Sequence, residues 1–229
     1  MRAHPLIAID GPAGVGKSTI GELLARRLDC TYVDTGAFYR TLTWAALRLG
    51  IDPSDAVRLT DLARTMRIAI VTPAVADGRQ YTVLVDGEDV TPYLRTPEVE
   101  KAVAPVSTHE HVREALIVRM RELASGQCVV MVGRDIGTVV LPDADLKIFL
   151  ETSLDERARR RHRDLVAKYG AQSPTIEQVY EEIRKRDEID APHMRVATDA
   201  KRINNDHREA WEVVEIITRM LEERRAGCA

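Results

Sequence analysis

The sequence predicts an α/β fold, a three-layer sandwich with a five-stranded parallel sheet at its centre. Short apolar runs alternate along the chain with helical segments, and a glycine-rich loop joins the first run to the first helix. Strand–loop–helix alternation favours right-handed crossovers and a parallel sheet that helices cover on both faces. A stretch of alternating hydrophobicity with two Asp-Gly turns adds a small antiparallel β insertion to this fold.

Length, composition and charge restrict the class of protein. The 229 residues suit one α/β domain with an insertion, and the 45% hydrophobic content is sufficient for a full core. The net charge of -3 and the 4% aromatic content argue against a nucleic-acid binder. No apolar run approaches the ~20 residues of a membrane span, and no secretory signal is evident. We therefore expect a cytoplasmic monomer with neither nucleic acid nor membrane as a partner.

The elements follow from the hydrophobic pattern. Strands are predicted over residues 6–9, 31–33, 128–132, 146–150 and, from a short charged segment only, 202–204. Helices are predicted over residues 17–28, 37–49, 54–66, 112–123, 153–168, 175–189 and 209–223.

The domain organisation is predicted from the change in pattern along the chain. Residues 1–66 and 105–229 are expected to form the core domain, and residues 67–104 the antiparallel insertion. Within the core range, the arginine-rich helices of residues 153–190 are expected to form a lid.

The cysteines and histidines offer no obvious metal site. Cys30, Cys128 and Cys228 are far apart and form no CxxC pair, so neither a zinc site nor a disulfide framework is expected. His109 and His111 lack an evident third ligand, which favours a surface position.

The glycine-rich loop matches the phosphate-binding pattern G-x-x-x-x-G-K-[ST] between a strand and a helix. Glycines let backbone N–H groups approach a polyanion, and the helix adds its positive end. Lys17 is expected to bridge the β- and γ-phosphates of ATP, and Ser18 to offer its hydroxyl to Mg²⁺. The alternative is a chance glycine-rich turn, and the loop alone does not separate a kinase from an ATPase or GTPase. The predicted ATP contacts are Gly11, Pro12, Ala13, Gly14, Val15, Gly16, Lys17, Ser18 and Thr19.

Two polar motifs follow strands at the carboxyl ends, where ligands bind in such sheets. Asp34, Thr35 and Arg40 can hold a planar polar ligand and its phosphate, although Asp34 or Thr35 could equally cap the next helix. Arg134 and Asp135 follow the most apolar strand, and the alternative there is a local ion pair.

Basic residues crowd the two helices of the predicted lid. Arg157 and Arg161 are four residues apart and share a helix face. The alternative is a solvated basic face, but phosphoryl transfer needs cations around the phosphate oxygens, which favours a mobile lid. The charged residues are Arg157, Arg159, Arg160, Arg161 and Arg163 on the first helix, and Arg184, Arg186, Asp187 and Asp190 on the second.

In order and over nearly the whole chain, these motifs resemble bacterial cytidylate kinase, in the nucleoside monophosphate kinase branch of the P-loop kinases. The stretch from Gly133 to Ala144 is the most specific part of the resemblance. The matching segments are residues 9–18, 34–40, 95–99, 112–116, 133–144 and 186–190.

The resemblance implies transfer of the γ-phosphoryl group of ATP, with Mg²⁺, to CMP or dCMP in pyrimidine nucleotide metabolism. By matching position, the resemblance implies that Lys17, Arg134, Arg157 and Arg161 are catalytic, the last two from the lid. It also implies that the cytosine is read by Thr35, Arg113 and Asp135, that the CMP phosphate is held by Arg40 and Arg134, and that the sugar is approached by Arg186 and Asp190.

The chain departs from the family pattern at two positions. Ala104 stands where the family usually has a serine, and His193 where it usually has an arginine, with Arg195 nearby. Kinases for UMP, AMP or shikimate remain alternatives, as does a P-loop switch or regulatory ATPase.

Overall fold

A computed structural model describes residues 4–73, 75 and 77–227. Within these residues the strands are β1 Leu6–Asp10, β2 Thr31–Asp34, β3 Ile68–Val71, β4 Thr82–Val85, β5 Glu88–Asp89, β6 Val129–Gly133, β7 Leu146–Glu151 and β8 Lys201–Asn204. The α-helices are α1 Lys17–Leu28, α2 Gly36–Arg48, α3 Ala56–Thr65, α4 Pro97–Thr108, α5 Glu110–Ala124, α6 Leu154–Tyr169, α7 Ile176–Asp190 and α8 Ala210–Ala226.

The predicted five-stranded parallel sheet is confirmed, with the strand order β2-β6-β1-β7-β8. Ile7 of β1 lies opposite Leu146 of β7, and Leu150 of β7 lies opposite Ile203 of β8. The inner strands are mostly apolar and buried, as expected for strands that are covered on both faces. The edge strand β8 is charged because only Ile203 is buried there, which explains its weak sequence signal.

The predicted antiparallel insertion is also confirmed as a three-stranded sheet with the order β3-β4-β5. Ile70 of β3 lies opposite Val83 of β4, and both side chains are buried. The Asp-Gly turn at Asp86 and Gly87 connects β4 to β5, with both residues at positive φ. Two consecutive positive φ values are the geometry that favours an Asp-Gly pair.

The chain forms two compact units, Met1–Asp29 with Val130–Ala229, and Cys30–Val129. The first unit, here called the loop unit, contains the glycine-rich loop together with β7, β8, α6, α7 and α8. The second, here called the insertion unit, contains α2 to α5 and the antiparallel sheet. The division into a core and an insertion of residues 67–104 stays a prediction.

Helix α4 is an element that the sequence analysis missed. Pro97 stands in its first turn, where the absent N–H costs nothing, but Pro105 lies inside the helix. An internal proline normally ends a helix, so the pattern indicated none here. The buried face of Val99, Val103 and Val106 holds the helix in place.

The expectation that the cysteines stay unpaired is wrong for two of them, because Cys30 and Cys128 form a disulfide bond across 98 residues of sequence. Each precedes a strand, and the backbone N–H of Thr31 donates to the carbonyl of Cys128 at 2.9 Å. Strand pairing therefore places the two cysteines side by side. Cys228 lies outside the described residues.

Two absences apply to the described part of the chain. No group of three or more His, Cys, Asp or Glu side chains among the described residues could hold a metal ion. None of the helices described is long and apolar enough to cross a membrane.

Candidate active site

The glycine-rich loop leaves the carboxyl end of β1 and enters α1 with an unusual backbone. Gly11, Gly14 and Gly16 all have positive φ, at 149°, 75° and 92°. A Cβ on Gly11 would lie 2.5 Å from the carbonyl oxygen of Leu150, so a side chain cannot fit there. Turns of this kind aim successive N–H groups into one concavity, which suits a phosphate chain.

Lys17 is held against the loop from which it starts. Its side chain is buried, and Nζ donates to the carbonyl oxygens of Gly11 and Pro12, both at 2.7 Å. An ammonium group over a loop of N–H donors places fixed positive charge where a phosphate would bind. Ser18 follows in the first turn of α1 and is partly exposed.

Asp10, the last residue of β1, is a buried carboxylate beside the loop and is 4% exposed. Its two oxygens accept hydrogen bonds from the N–H groups of Ile136, at 2.7 Å, and Gly137, at 2.8 Å. Burial raises the pKa of Asp10 to about 6, against the lowering effect of these two donors, and Asp135 adds repulsion. Asp10 therefore anchors the turn that follows Arg134 and Asp135, a role that the sequence analysis did not assign.

Three of the predicted substrate residues meet at one carboxylate oxygen. Nε of Arg134 donates to Oδ2 of Asp190 at 2.8 Å, and Nε of Arg186 donates to the same oxygen at 3.2 Å. Nη1 of Arg134 also reaches the carbonyl oxygen of Gly11 at 3.4 Å. Arg134 thus pairs with a residue distant in sequence and contacts the glycine-rich loop, while Asp135 beside it is buried.

Arg157 of α6 also contacts the glycine-rich loop. The side chain is buried, Nη1 donates to the carbonyl oxygen of Ala13 at 2.9 Å, and Asp187 of α7 accepts from both terminal nitrogens at 3.0 and 2.6 Å. Arg161 shares its helix face by spacing, yet is exposed. The positive charge along α6 is partly balanced by the protein's own acids, since Arg160 pairs with Glu156 at 2.9 Å.

The insertion unit holds a second group of predicted residues. Oδ1 of Asp34 accepts from the N–H of Gly36 at 2.9 Å, so Asp34 contributes to the start of α2. Thr35 is buried and makes no side-chain cap, which argues against the capping alternative for that residue. Nε of Arg40 donates to Glu100 at 3.0 Å. A Cβ on Gly36 would lie 2.6 Å from Nη1 of Arg40 and 3.0 Å from Oδ1 of Asp34, so the glycine leaves room for these two side chains.

Two tyrosines lie close to charged residues of the insertion unit. The guanidinium of Arg113 lies 5.8 Å from the ring centroid of Tyr39, within the range of a cation–π contact. Tyr81 is buried, and its burial together with Asp34 raises the pKa of its hydroxyl. Burial would lower the pKa of Arg40, but Asp34 and Glu100 outweigh it and raise that pKa. The alternating pattern around Tyr81 predicted a strand and did not indicate that its hydroxyl would lie near charged residues.

The two units therefore hold different parts of the predicted site. The loop unit gathers the residues predicted for the triphosphate, the phosphoryl group and the sugar: residues 11–19, Arg134, Asp135, Arg157, Arg161, Arg186 and Asp190. The insertion unit holds Thr35, Arg40 and Arg113. The arrangement of the loop unit suits the binding of a polyphosphate by backbone amides, one ammonium group and guanidinium groups.

Known proteins resemble the chain over nearly its whole length. The family model for cytidylate kinase matches residues 7–223. A cytidylate kinase of Roseiflexus castenholzii is 45% identical over 98% of this chain and 96% of its own length. Those of Chloroflexus aggregans and Geobacillus kaustophilus are 48% and 44% identical, over 95% and 98% of this chain and 94% and 99% of their own lengths.

A match of this extent and identity confirms the resemblance inferred from the motifs. The chain belongs to the cytidylate kinase family of nucleoside monophosphate kinases.

Proposed function

We propose that the protein transfers the γ-phosphoryl group of ATP to CMP or dCMP, giving ADP and CDP or dCDP, as a step of pyrimidine nucleotide metabolism. The observation that carries the proposal is the contact of two guanidinium groups with the glycine-rich loop, Arg134 at Gly11 and Arg157 at Ala13. A loop that only binds a triphosphate needs no such cations, whereas phosphoryl transfer develops charge that they can stabilise.

Residues 11–19 are assigned to the triphosphate in this proposal. The N–H groups of the loop hold the phosphates, and Lys17 exchanges its two carbonyl acceptors for phosphate oxygens when ATP binds. The atoms near the loop that could coordinate a metal ion are oxygens, in the hydroxyl of Ser18 and in nearby carboxylates. Oxygen ligands suit a hard cation such as Mg²⁺. Ser18 would hold the ion, and bound Mg²⁺ would supply charge neutralisation on the phosphates.

No general base is required for the transfer. The acceptor is already a phosphate oxyanion, so the protein contributes alignment and charge. Arg134, Arg157 and Arg161 are the proposed catalytic cations besides Lys17. Two of them are paired with the protein's own carboxylates, Asp190 and Asp187, which hold the guanidinium groups near the loop.

The acceptor is assigned residue by residue. We infer that Asp135 accepts a hydrogen bond from the cytosine amino group, and that Thr35 and Arg113 bind the remaining edge of the base. The monophosphate is assigned to Arg40 with Arg134. The sugar is assigned to Arg186 and Asp190, which already share a hydrogen bond at 3.2 Å.

The regions that serve these residues follow the division made from the sequence. Residues 67–104 support the monophosphate side, and residues 153–190 act as a lid that excludes water during transfer. Action on intracellular nucleotides supports a cytoplasmic location, and the small-molecule substrates support a monomer without nucleic-acid or membrane partners.

Turnover of CMP, dCMP, UMP, AMP and shikimate, measured side by side with ATP in a coupled ADP assay, tests the proposal. We expect CMP and dCMP to give the highest kcat/KM. Lys17→Ala should lower kcat by orders of magnitude because it removes charge that stabilises the transition state. Fast turnover of another acceptor with none of CMP would refute the proposal.

The role of Asp135 has a separate test. Asp135→Ala should raise KM for CMP far more than KM for ATP, because only the base loses its acceptor. Equal changes in the two KM values would contradict this assignment while leaving the phosphoryl transfer itself in place.

A further inference from the structure

Asn205 follows β8 and is 2% exposed, although it carries a polar side chain. Its Nδ2 donates to the carbonyl oxygen of Val15, in the middle of the glycine-rich loop, at 2.8 Å. The contact joins residues 190 positions apart in sequence. None of the motifs that match the family includes Asn205.

Two hydrogen bonds hold the backbone of Asn205 in place and so limit where its side chain can point. The N–H of Asn205 donates to the carbonyl oxygen of Glu151, at the end of β7, at 2.7 Å. Its carbonyl oxygen accepts from Nη2 of Arg160, on α6, at 2.7 Å. Asn205 is thus held from both sides, and its amide group points at the loop with little freedom to move.

The contact with Val15 determines the direction of one N–H group in the loop. A trans peptide unit is planar, so its carbonyl and its N–H point in opposite directions. With the Val15 carbonyl held towards Asn205, the N–H of Gly16 must point away from Asn205. Gly16 has no Cβ and sits at φ 92°, so without such a contact this peptide could adopt other orientations at little cost.

The remaining atom of the side chain argues against a purely stabilising role. Oδ1 of Asn205 is buried and finds no hydrogen-bond partner within the described part of the chain. A buried acceptor without a partner costs about 1–3 kcal/mol, which offsets the gain from the one bond that is made. An apolar side chain of similar size would fill the same space without that cost.

We propose that Asn205 is a positioning residue for the phosphates of the nucleotide, acting through the Val15–Gly16 peptide. By holding the Val15 carbonyl, it keeps the Gly16 N–H aimed at the polyphosphate before the ligand arrives. Preorganised donors bind charge more strongly than donors that must first reorient. The inference rests on the proposed function, since it assumes that the loop binds a polyphosphate.

The decisive probe is inorganic tripolyphosphate, which has phosphates but no base or sugar. Its binding is measured by calorimetry beside that of ATP and CMP, for the wild type, Asn205→Leu and Asn205→Asp. Asn204→Leu is the matched control because Asn204 is the exposed last residue of β8, and its side chain accepts from the N–H of Asp206 and not from the glycine-rich loop. We expect Asn205→Leu to lower the affinities for tripolyphosphate and for ATP by the same factor. That factor should be about tenfold, which corresponds to one well-oriented hydrogen bond.

The binding of CMP should change by less than about twofold in Asn205→Leu. Its melting temperature should change little, because losing the bond to the Val15 carbonyl is offset by removing the unpartnered Oδ1. The Asn205→Asp variant adds a test by pH. An ionised carboxylate would repel the Val15 carbonyl, whereas a protonated carboxyl can donate to it, so affinity should recover relative to the wild type as the pH is lowered.

Each other outcome would overturn the inference. Weaker binding of ATP with unchanged binding of tripolyphosphate would place Asn205 at the base or sugar. Parallel losses of melting temperature and of affinity for all three ligands would make its role structural. Unchanged affinities in every variant would remove its role and leave the proposed function standing. Absence of tripolyphosphate and ATP binding in the wild type would refute the proposed function itself.

Discussion

The buried carboxylate of Asp10 makes the stability of the protein depend on pH in an unusual direction. Its pKa is raised from 3.8 to about 6 in the folded state, with burial as the largest cause. Below the lower value the carboxyl is protonated in both states. Between the two values the folded protein keeps a proton that the unfolded chain releases. The stabilising contribution of Asp10 is therefore full below the unfolded pKa and is lost as the pH rises through about 6.

The magnitude follows from the size of the shift. Each pKa unit corresponds to about 1.4 kcal/mol, so the shift of Asp10 amounts to about 3 kcal/mol. Asp10→Asn cannot ionise and should lack this dependence. It also places an NH₂ group against one of the two N–H donors, Ile136 or Gly137, which should cost about 1–3 kcal/mol at every pH. The advantage of the wild type over the variant should shrink by about 3 kcal/mol from about pH 3 to about pH 7.5.

Urea unfolding, followed by the fluorescence of the two tryptophans, measures this difference at each pH. Asp52→Asn is a control of opposite sign. Hydrogen bonds from Ser54 lower the pKa of Asp52, so its contribution is present above the unfolded pKa and is lost as the pH falls. The wild-type advantage over Asp52→Asn should therefore rise with pH. A pH-independent difference between the wild type and Asp10→Asn would refute the reasoning about burial.

Three further predictions follow from contacts in the loop unit and from the disulfide bond. Gly11→Ala should destabilise the protein by about 2–3 kcal/mol and abolish ATP binding, because its Cβ meets Leu150. Gly126→Ala is the control, because Gly126 also has positive φ but a Cβ there would meet no atom within 4 Å. Calorimetry should find that this variant binds ATP as the wild type does. Asp187→Asn should lower stability by about 3 kcal/mol by leaving Arg157 poorly paired, and ATP should raise its melting temperature more than that of the wild type. Thiol titration of the denatured chain should find one free cysteine of three before reduction and three after it.

The sequence was sufficient for the features that depend on local pattern. The glycine-rich loop was predictable because its spacing reflects backbone conformations that only glycine adopts easily, as at Gly11. The inner strands were predictable because burial on both faces makes them uniformly apolar. The assignment of the arginines to a phosphate site stays a prediction, made because such a site requires cations.

Partners distant in sequence could not be predicted in the same way. The pairing of Arg134 with Asp190 spans 56 residues, and that of Arg157 with Asp187 spans 30. Asn205 and Asp10 are common residue types whose roles come only from what the fold places beside them. The disulfide bond was missed for the same reason, because strand pairing and not spacing brings Cys30 to Cys128.

The central claim is that the γ-phosphoryl group of ATP goes to CMP and not to water. Phosphorus NMR of ATP, Mg²⁺ and CMP with the protein tests this directly, because ADP, CDP and inorganic phosphate give separate signals. We expect ADP and CDP to appear in equal amounts, without inorganic phosphate, and ATP to remain intact when CMP is omitted. Formation of ADP with inorganic phosphate and unchanged CMP would contradict the account.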